Sequence, residues 1–133
     1  NSAVSAEAHE FVERMDHGYE TVIGEKGIGL SGGQKQRISI ARAFAKEARI
    51  LVMDDSTSAL DMETEYKIQS EITKRKGVTK IIVAHRISAV KDADEIIILE
   101  DGTIVERGTH KELLQLGGRY YETFSEQYEG YSA

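Results

Sequence analysis

The spacing of apolar residues changes along the chain from a helical to a strand-like pattern. Over residues 4–15 and 32–46, apolar side chains recur at intervals of three and four, which predicts two amphipathic helices. Residues 50–53 and 78–84 are instead short, mostly apolar runs without regular alternation. Such runs are typical of parallel strands that are buried on both faces of a sheet. The pattern therefore predicts helices combined with a buried parallel sheet.

The helix predicted over residues 32–46 should bury one side and keep its basic residues near solvent. The predicted stripe contains apolar residues at helical spacing: Ile38, Ala41, Ala45 and Ala48, with Ile40 and Phe44 beside them. The basic residues expected near solvent are Lys35, Arg37 and Arg42. Ser31 precedes the helix, and its hydroxyl is well placed to cap the first turn.

Helices and strands continue to alternate through the rest of the chain, which favours the α/β class. The predicted elements are two helices and a third strand: 57–75, 88–91 and 95–99. Asp101 and Gly102 form a strong turn signal, so the flanking apolar segments 96–99 and 103–106 should form a hairpin. Two short helices and a polar tail are expected from His110 onward.

Composition excludes several classes of function. The 133 residues include 23 acidic and 17 basic side chains, for a net charge of −6, so we expect no nucleic-acid partner. Cysteine is absent, which removes thiolate metal sites and disulfides. The longest apolar runs are too short to span a bilayer, so the chain itself is expected to be soluble.

The segment Leu30-Ser31-Gly32-Gly33-Gln34 places two glycines and a hydroxyl at the start of a predicted helix. Free backbone N–H groups and the positive end of the helix dipole favour an anion there, so the segment is a candidate phosphate-binding site. Taken alone, Ser-Gly-Gly would more simply be a capped helix start. Gln34, Gln36 and Arg37, which come immediately after these residues, favour the phosphate-binding interpretation.

Asp54 and Asp55 follow the apolar run at 50–53. Open α/β sheets bind ligands at the carboxyl ends of their strands, where Asp54 could hold Mg²⁺ directly or through water. Asp55 could polarise an attacking water molecule from the same position. The alternative is a pair of capping aspartates before Ser56 and Thr57.

His85 also follows a predicted strand. It would lie beside Asp54 and Asp55 if the two strands are close in the sheet, and its imidazole could then contact a γ-phosphate or the attacking water. A histidine after a strand is otherwise simply a loop residue. His9, His17 and His110 show no metal-ligand spacing.

Taken together, these segments resemble the ATP-binding cassette (ABC) family in order and spacing. Leu30–Gln34 is similar to its signature motif and residues 50–55 to its Walker B motif. Ser58-Ala59-Leu60-Asp61 is similar to its D-loop, and His85 to its switch histidine. The resemblance covers nearly the whole chain.

The resemblance implies the ATPase core of a P-loop NTPase, with a partial parallel sheet flanked by helices. Residues 1–46 would belong to the helical subdomain, and residues 47–133 would hold the later part of the core with a hairpin. The implied cofactors are ATP and Mg²⁺, with Ser58 and Asp61 among the nucleotide-facing residues. The P-loop pattern G-x-x-x-x-G-K-[ST] does not occur in the chain. We therefore expect a truncated domain that does not hydrolyse ATP alone.

Two further segments are similar to ABC exporters. Residues 21–27 resemble the loop that touches the membrane domains in exporters, and residues 101–110 also follow the exporter pattern. The resemblance implies a parent protein embedded in the cell membrane, with this part on the cytoplasmic face. It also implies a second nucleotide-binding domain as partner. Because the sheet would be incomplete, we expect the chain alone to self-associate.

Asp55 departs from the family pattern, which usually has glutamate as the catalytic base. The shorter side chain withdraws the carboxylate by about 1.5 Å, one C–C bond, so hydrolysis at this site should be slow. The signature-like segment Leu30–Gln34 is intact. An intact signature together with a weakened catalytic base resembles one subunit of a heterodimeric exporter that has one weakened and one competent ATP site, although a homodimer stays open. Two other functions also stay open: an ABC ATPase of DNA repair or translation, and an interaction module without catalysis.

Overall fold

The computed structural model describes residues 1–24 and 29–129 of the chain. Two compact units are present, Asn1–Val83 and Ala84–Ala133, and each has its own apolar core. The first unit contains a parallel strand pair with helices, and the second an antiparallel hairpin with helices. The predicted α/β class is therefore confirmed.

The first unit contains short helices, two long helices and two strands. In chain order they are α1 (Ser2–Ser5), α2 (His9–Glu13), a 3-10 helix (Gly18–Glu20), α3 (Gly32–Ala45), β1 (Ile50–Asp54), α4 (Met62–Lys74) and β2 (Thr79–Val83).

The single helix predicted over residues 4–15 is wrong, because α1 and α2 are separated at Glu7. The backbone of Glu7 adopts a left-handed conformation, with φ of 54°, which no α-helix can continue. The Arg37 side chain donates a 2.8 Å hydrogen bond to the Glu7 carbonyl oxygen, and its guanidinium lies 4.5 Å from the centre of the Phe11 ring. Arg37 is therefore half-buried and does not stay near solvent as expected.

The parallel pairing of β1 and β2 is confirmed, with a register that runs from Ile50 opposite Thr79 to Asp54 opposite Val83. Their predicted burial on both faces is wrong. Leu51 and Met53 pack into the core against α3 and α4, whereas Val52 on the other face is 61% exposed. Within the described residues, helices cover only one face of this two-stranded sheet.

The helix α3 confirms the predicted bounds but buries a different stripe. Ile40 and Phe44 are its buried residues, while Ala45 and Ala48 are exposed. The larger side chains occupy the core because they remove more apolar surface from water.

The helix α4 begins at Met62, five residues later than predicted. Asp61 has an extended backbone and caps the helix, so residues 55–61 form a loop between β1 and α4. This 55–61 loop contains both Asp55 and the predicted D-loop.

The second unit forms around an antiparallel hairpin. Its elements are α5 (Ile87–Val90), β3 (Ile96–Glu100), β4 (Thr103–Gly108), α6 (His110–Leu116) and α7 (Arg119–Glu129). The predicted hairpin is confirmed, but in the described residues β3 pairs only with β4 and adds no third strand to the parallel sheet. The core of this unit consists of Ile87, Ile96, Leu113 and Tyr120. The two short helices expected from His110 onward are confirmed as α6 and α7.

Candidate functional site

The start of α3 carries the predicted phosphate-binding segment. Ser31 caps the helix, because its Oγ accepts a 3.2 Å hydrogen bond from the Gln34 backbone N–H. The Gln34 side chain accepts a 2.9 Å hydrogen bond from the Ser31 N–H in return. This capping box orients the first turn, and the backbone N–H groups of Gly32 and Gly33 lie in the turn where no intrahelical acceptor is available. Leu30 is half-buried directly before it.

The two glycines allow this helix start to approach the 55–61 loop closely. A Cβ on Gly33 would lie 3.1 Å from the carbonyl oxygen of Ala59, and one on Gly32 would lie 3.5 Å from the Ala59 side chain. Glycine at position 33 therefore permits a backbone contact that a larger side chain would push apart. The structure thus brings the predicted signature and the predicted D-loop of the same chain together.

Gln36 binds the 55–61 loop through both ends of its side-chain amide. Its Oε1 accepts a 2.9 Å hydrogen bond from the Ala59 N–H. Its Nε2 donates to Ser58 Oγ at 3.0 Å and to the Asp55 carbonyl oxygen at 3.3 Å. Ser58 Oγ also donates to the Asp55 carbonyl at 3.1 Å. Gln36 therefore ties α3 to three residues of the loop, Asp55, Ser58 and Ala59.

A second side chain supports the loop from α4. Thr57 Oγ1 donates a 2.8 Å hydrogen bond to Glu65 Oε1, and both residues are buried, at 6% and 3% exposure. Leu60 is buried in the same core. A buried carboxylate is costly unless it is hydrogen-bonded, so this pair holds the loop in one position.

Asp54 and Asp55 lie at the carboxyl end of β1 and are both exposed. Asp55 adopts a left-handed backbone with φ of 48°, and its N–H donates a 2.8 Å hydrogen bond to the Val83 carbonyl at the end of β2. Aspartate tolerates this conformation better than most residues. The chain turns sharply here, so Asp54 belongs to the strand and Asp55 begins the loop.

Asp61 closes the loop by capping α4. Its carboxylate accepts hydrogen bonds from the Thr64 N–H at 3.0 Å and the Thr64 hydroxyl at 2.8 Å. These bonds favour the ionised form and lower the pKa of Asp61 below its usual value.

The site does not contain a cluster of several metal ligands within the part of the chain that the structure describes. Among the described residues, no group of three or more His, Cys, Asp or Glu side chains could hold a metal ion. Mg²⁺ keeps several of its water ligands and is commonly bound by one or two carboxylates with substrate phosphates. The exposed Asp54 therefore fits this ion with water between them or as a single ligand.

His85 lies in the second unit, where it is exposed in the turn between β2 and α5. Its carbonyl oxygen accepts a 2.7 Å hydrogen bond from Gln127 Nε2 in α7. Sequence reasoning missed this contact and the Thr57–Glu65 pair, because both join residues that no motif spacing connects. Gln36 lies two residues after the signature-like segment, and that position was its only signal in the sequence.

The predicted membrane-domain loop at residues 21–27 lies only partly within the described residues. Residues 25–28 fall outside them, and the described part contains Val22, which is 92% exposed. In the described chain, no helix has the length and apolar character needed to cross a bilayer.

Comparison with known proteins gives the same family from sequence and from structure. A family model described as ABC transporter matches residues 2–58. An uncharacterized ABC transporter ATP-binding protein of Bacillus subtilis is 52% identical over 96% of this chain. An ATP-dependent lipid A-core flippase of Alkalilimnicola ehrlichii is 49% identical over 97% of it.

A solved structure agrees with these matches. A bacterial Atm1-family ABC exporter with ATP bound matches 95% of the chain with a TM-score of 0.90 and 42% sequence identity. The chain spans 22% of the length of that exporter chain and of each of the two relatives. Over nearly its whole length the chain is similar to a part of the ATP-binding domain of ABC exporters.

Proposed function

We propose that this chain is part of the ATPase domain of an exporter that couples ATP binding and hydrolysis to transport across a membrane. The observation that carries the proposal is the packing of the capped 30–34 segment against the loop that begins with Asp55. The relatives add support, because they include a protein named as a lipid A-core flippase and one named as a putative multidrug export protein. An ABC ATPase of DNA repair or translation would not need the exporter-like residues at 21–27.

The proposed cofactors are ATP and Mg²⁺, and each site residue has a role toward them. Asp54 would hold Mg²⁺ through water, and the ion would neutralise phosphate charge when bound. Asp55 would accept a proton from the attacking water, and His85 would contact the γ-phosphate. The segment Leu30–Gln34, together with Ser58 and Asp61, would face the nucleotide held by a second nucleotide-binding domain.

The proposed partners follow from this division of the site. The second nucleotide-binding domain supplies the other half of each ATP site. Membrane domains of the parent contact residues 21–27, which places this part on the cytoplasmic face of the membrane. In this assembly residues 1–46 belong to the helical subdomain and residues 47–133 to the ATPase core.

We further propose that the subunit has a weakened ATP site and forms a heterodimer with a subunit that has a competent one. The aspartate at position 55 supports this, because a carboxylate withdrawn by about one C–C bond is a poorly placed base. Replacing Asp55 with Glu should therefore raise turnover at this site in the longer protein. Unchanged turnover would show that the reach of this carboxylate does not limit hydrolysis.

The test of the main proposal uses the longer protein that contains this sequence, purified in membranes with its partner. ATP hydrolysis should be stimulated by Mg²⁺ and fall at least tenfold in Asp54→Asn, since removal of a catalytic charge typically costs that much. Ser31→Arg should impair the partner's site by filling the position of its γ-phosphate. The matched control is Lys35→Ala in the same helix. Hydrolysis that is absent from the unaltered protein would contradict the proposal and favour a silent interaction module.

For the 133-residue chain alone we propose no ATP hydrolysis, because the P-loop pattern is absent from it. We also propose that this chain self-associates through its open sheet. Ile50, Val52, Ile81 and Val83 form an exposed apolar face on β1 and β2, and parallel sheets are normally covered on both faces. Sedimentation over a range of concentrations should show assemblies that Val52→Lys dissociates. A monomer at every concentration would exclude self-association.

A further inference from the structure

The turn that contains His85 is held by a side chain from the far end of the second unit. Gln127 lies in α7 and uses both ends of its amide on this turn. Its Nε2 donates a 2.7 Å hydrogen bond to the His85 carbonyl oxygen, and its Oε1 accepts a 2.9 Å hydrogen bond from the Ile87 N–H. One planar group therefore fixes the backbone on both sides of Arg86.

The turn needs this contact because α5 has no cap of its own. Arg86 occupies the N-cap position and makes no capping hydrogen bond through its side chain. A free N–H at the start of a helix requires an acceptor from elsewhere. Gln127 supplies it, forty residues later in the sequence.

The helix α7 is itself firmly placed within the second unit. Tyr120 is completely buried in the core that also contains Ile87, and its hydroxyl lies 2.7 Å from His110 Nδ1. Phe124 packs against the same core. Because Gln127 follows one turn after Phe124 in the same helix, its amide is carried by an element that packs against this core.

We propose that Gln127 is a positioning residue for His85, so that α7 sets the geometry of the switch histidine. This inference rests on the proposed function for the role of His85, but the contact itself does not. Gln127 acts through the backbone of the turn and needs no contact with the nucleotide. Loss of α7 contacts would then slow hydrolysis without removing any residue that touches ATP.

The first arm of the test measures the contact in the full 133-residue chain by NMR. In Gln127→Ala, hydrogen exchange at the Ile87 amide should rise about tenfold, as expected for one lost hydrogen bond, and the His85 ring resonances should shift. Gln127→Glu keeps an acceptor for Ile87 but presents an oxygen to the His85 carbonyl, so Ile87 should stay protected while the His85 resonances still shift. Glu126→Ala, an exposed neighbour in α7, should leave both signals unchanged.

The second arm measures ATP hydrolysis in the longer protein. Gln127→Ala and Gln127→Glu should each lower kcat about tenfold with little change in KM for ATP, since a misplaced group costs turnover more than binding. Unchanged Ile87 exchange and His85 resonances in Gln127→Ala would overturn the inference, as would altered resonances with unaltered kcat. Absent hydrolysis in the unaltered protein would instead count against the proposed function, and the NMR arm would then decide the inference alone.

Discussion

The 55–61 loop and the turn at residues 85–87 both follow a strand of the parallel pair, yet they are held in different ways. The loop is fixed from two helices, by Gln36 on α3 and by Glu65 on α4. In the turn, the His85 carbonyl oxygen and the Ile87 N–H are both bound by one side chain, that of Gln127. The loop is thus bound from two different helices, whereas two backbone groups of the turn share one amide, and the Ile87 side chain is buried in the core.

This difference means that a single polar substitution should affect the two segments unequally. Removing one anchor from the 55–61 loop leaves the others in place, so the loop should loosen locally. Removing Gln127 leaves two backbone groups of the turn without their partner. The first prediction below compares the apolar anchors of the two segments, and the others test whether the anchors of the loop are redundant.

The largest effect is expected from the apolar anchors, Leu60 in the loop and Ile87 in the turn. Both are buried, at 5% and 4% exposure. Replacing either with Ala should lower the free energy of unfolding of its own unit by about 2–4 kcal/mol, from lost transfer energy and a cavity. Urea unfolding followed by residue-resolved NMR would measure each unit. Leu116→Ala, at an exposed site, is the control and should change little.

The next effect is expected at the buried pair in the loop. Glu65→Ala removes a buried side chain and the acceptor of the Thr57 hydroxyl, and should cost the first unit about 2–3 kcal/mol. Glu63→Ala on the same helix removes an exposed carboxylate paired with Lys67 and should cost less than about 0.5 kcal/mol. Equal losses in the two variants would show that the Thr57–Glu65 pair does not anchor the loop.

A smaller effect is expected for Gln36→Ala. The Ala59 amide loses its acceptor, so its hydrogen exchange should rise about tenfold while global stability falls by about 1 kcal/mol. Lys35 is exposed in the same helix, so Lys35→Ala should leave the Ala59 amide protected from hydrogen exchange. If Gln36→Ala destabilises the whole unit as much as Glu65→Ala does, the anchors are not redundant.

The smallest effect is a pH dependence at the end of the loop. Because Thr64 hydrogen bonds lower the pKa of Asp61 below 3.8, the ionised cap stabilises the folded state above that pH. This contribution is lost as the pH falls through the lowered pKa. Asp61→Asn keeps a capping side chain and should remove this dependence. An NMR titration of the Asp61 carboxyl carbon that shows an ordinary midpoint would contradict the prediction.

The elements with long, regular patterns could be predicted from the sequence, but their ends and burial often could not. The bounds of α3 and the hairpin at Asp101-Gly102 were predictable because capping and turn residues act locally. The break at Glu7 was not, since it accompanies a hydrogen bond from Arg37, thirty residues away. The late start of α4 had a local signal in Asp61, which the apolar spacing obscured.

The residues of the candidate site also fall into those that the sequence indicated and those that it did not. Local residue types and spacing were enough to indicate the signature-like segment, the two aspartates and His85, because each motif acts within a few residues of chain. The anchors that place them are contacts over 8 to 42 residues. Such contacts arise only when separate elements pack together, and single-sequence spacing does not record which side chains then meet. The motifs were therefore readable in the sequence, whereas Gln36, Glu65 and Gln127 acquired their roles only through the packing of the folded chain.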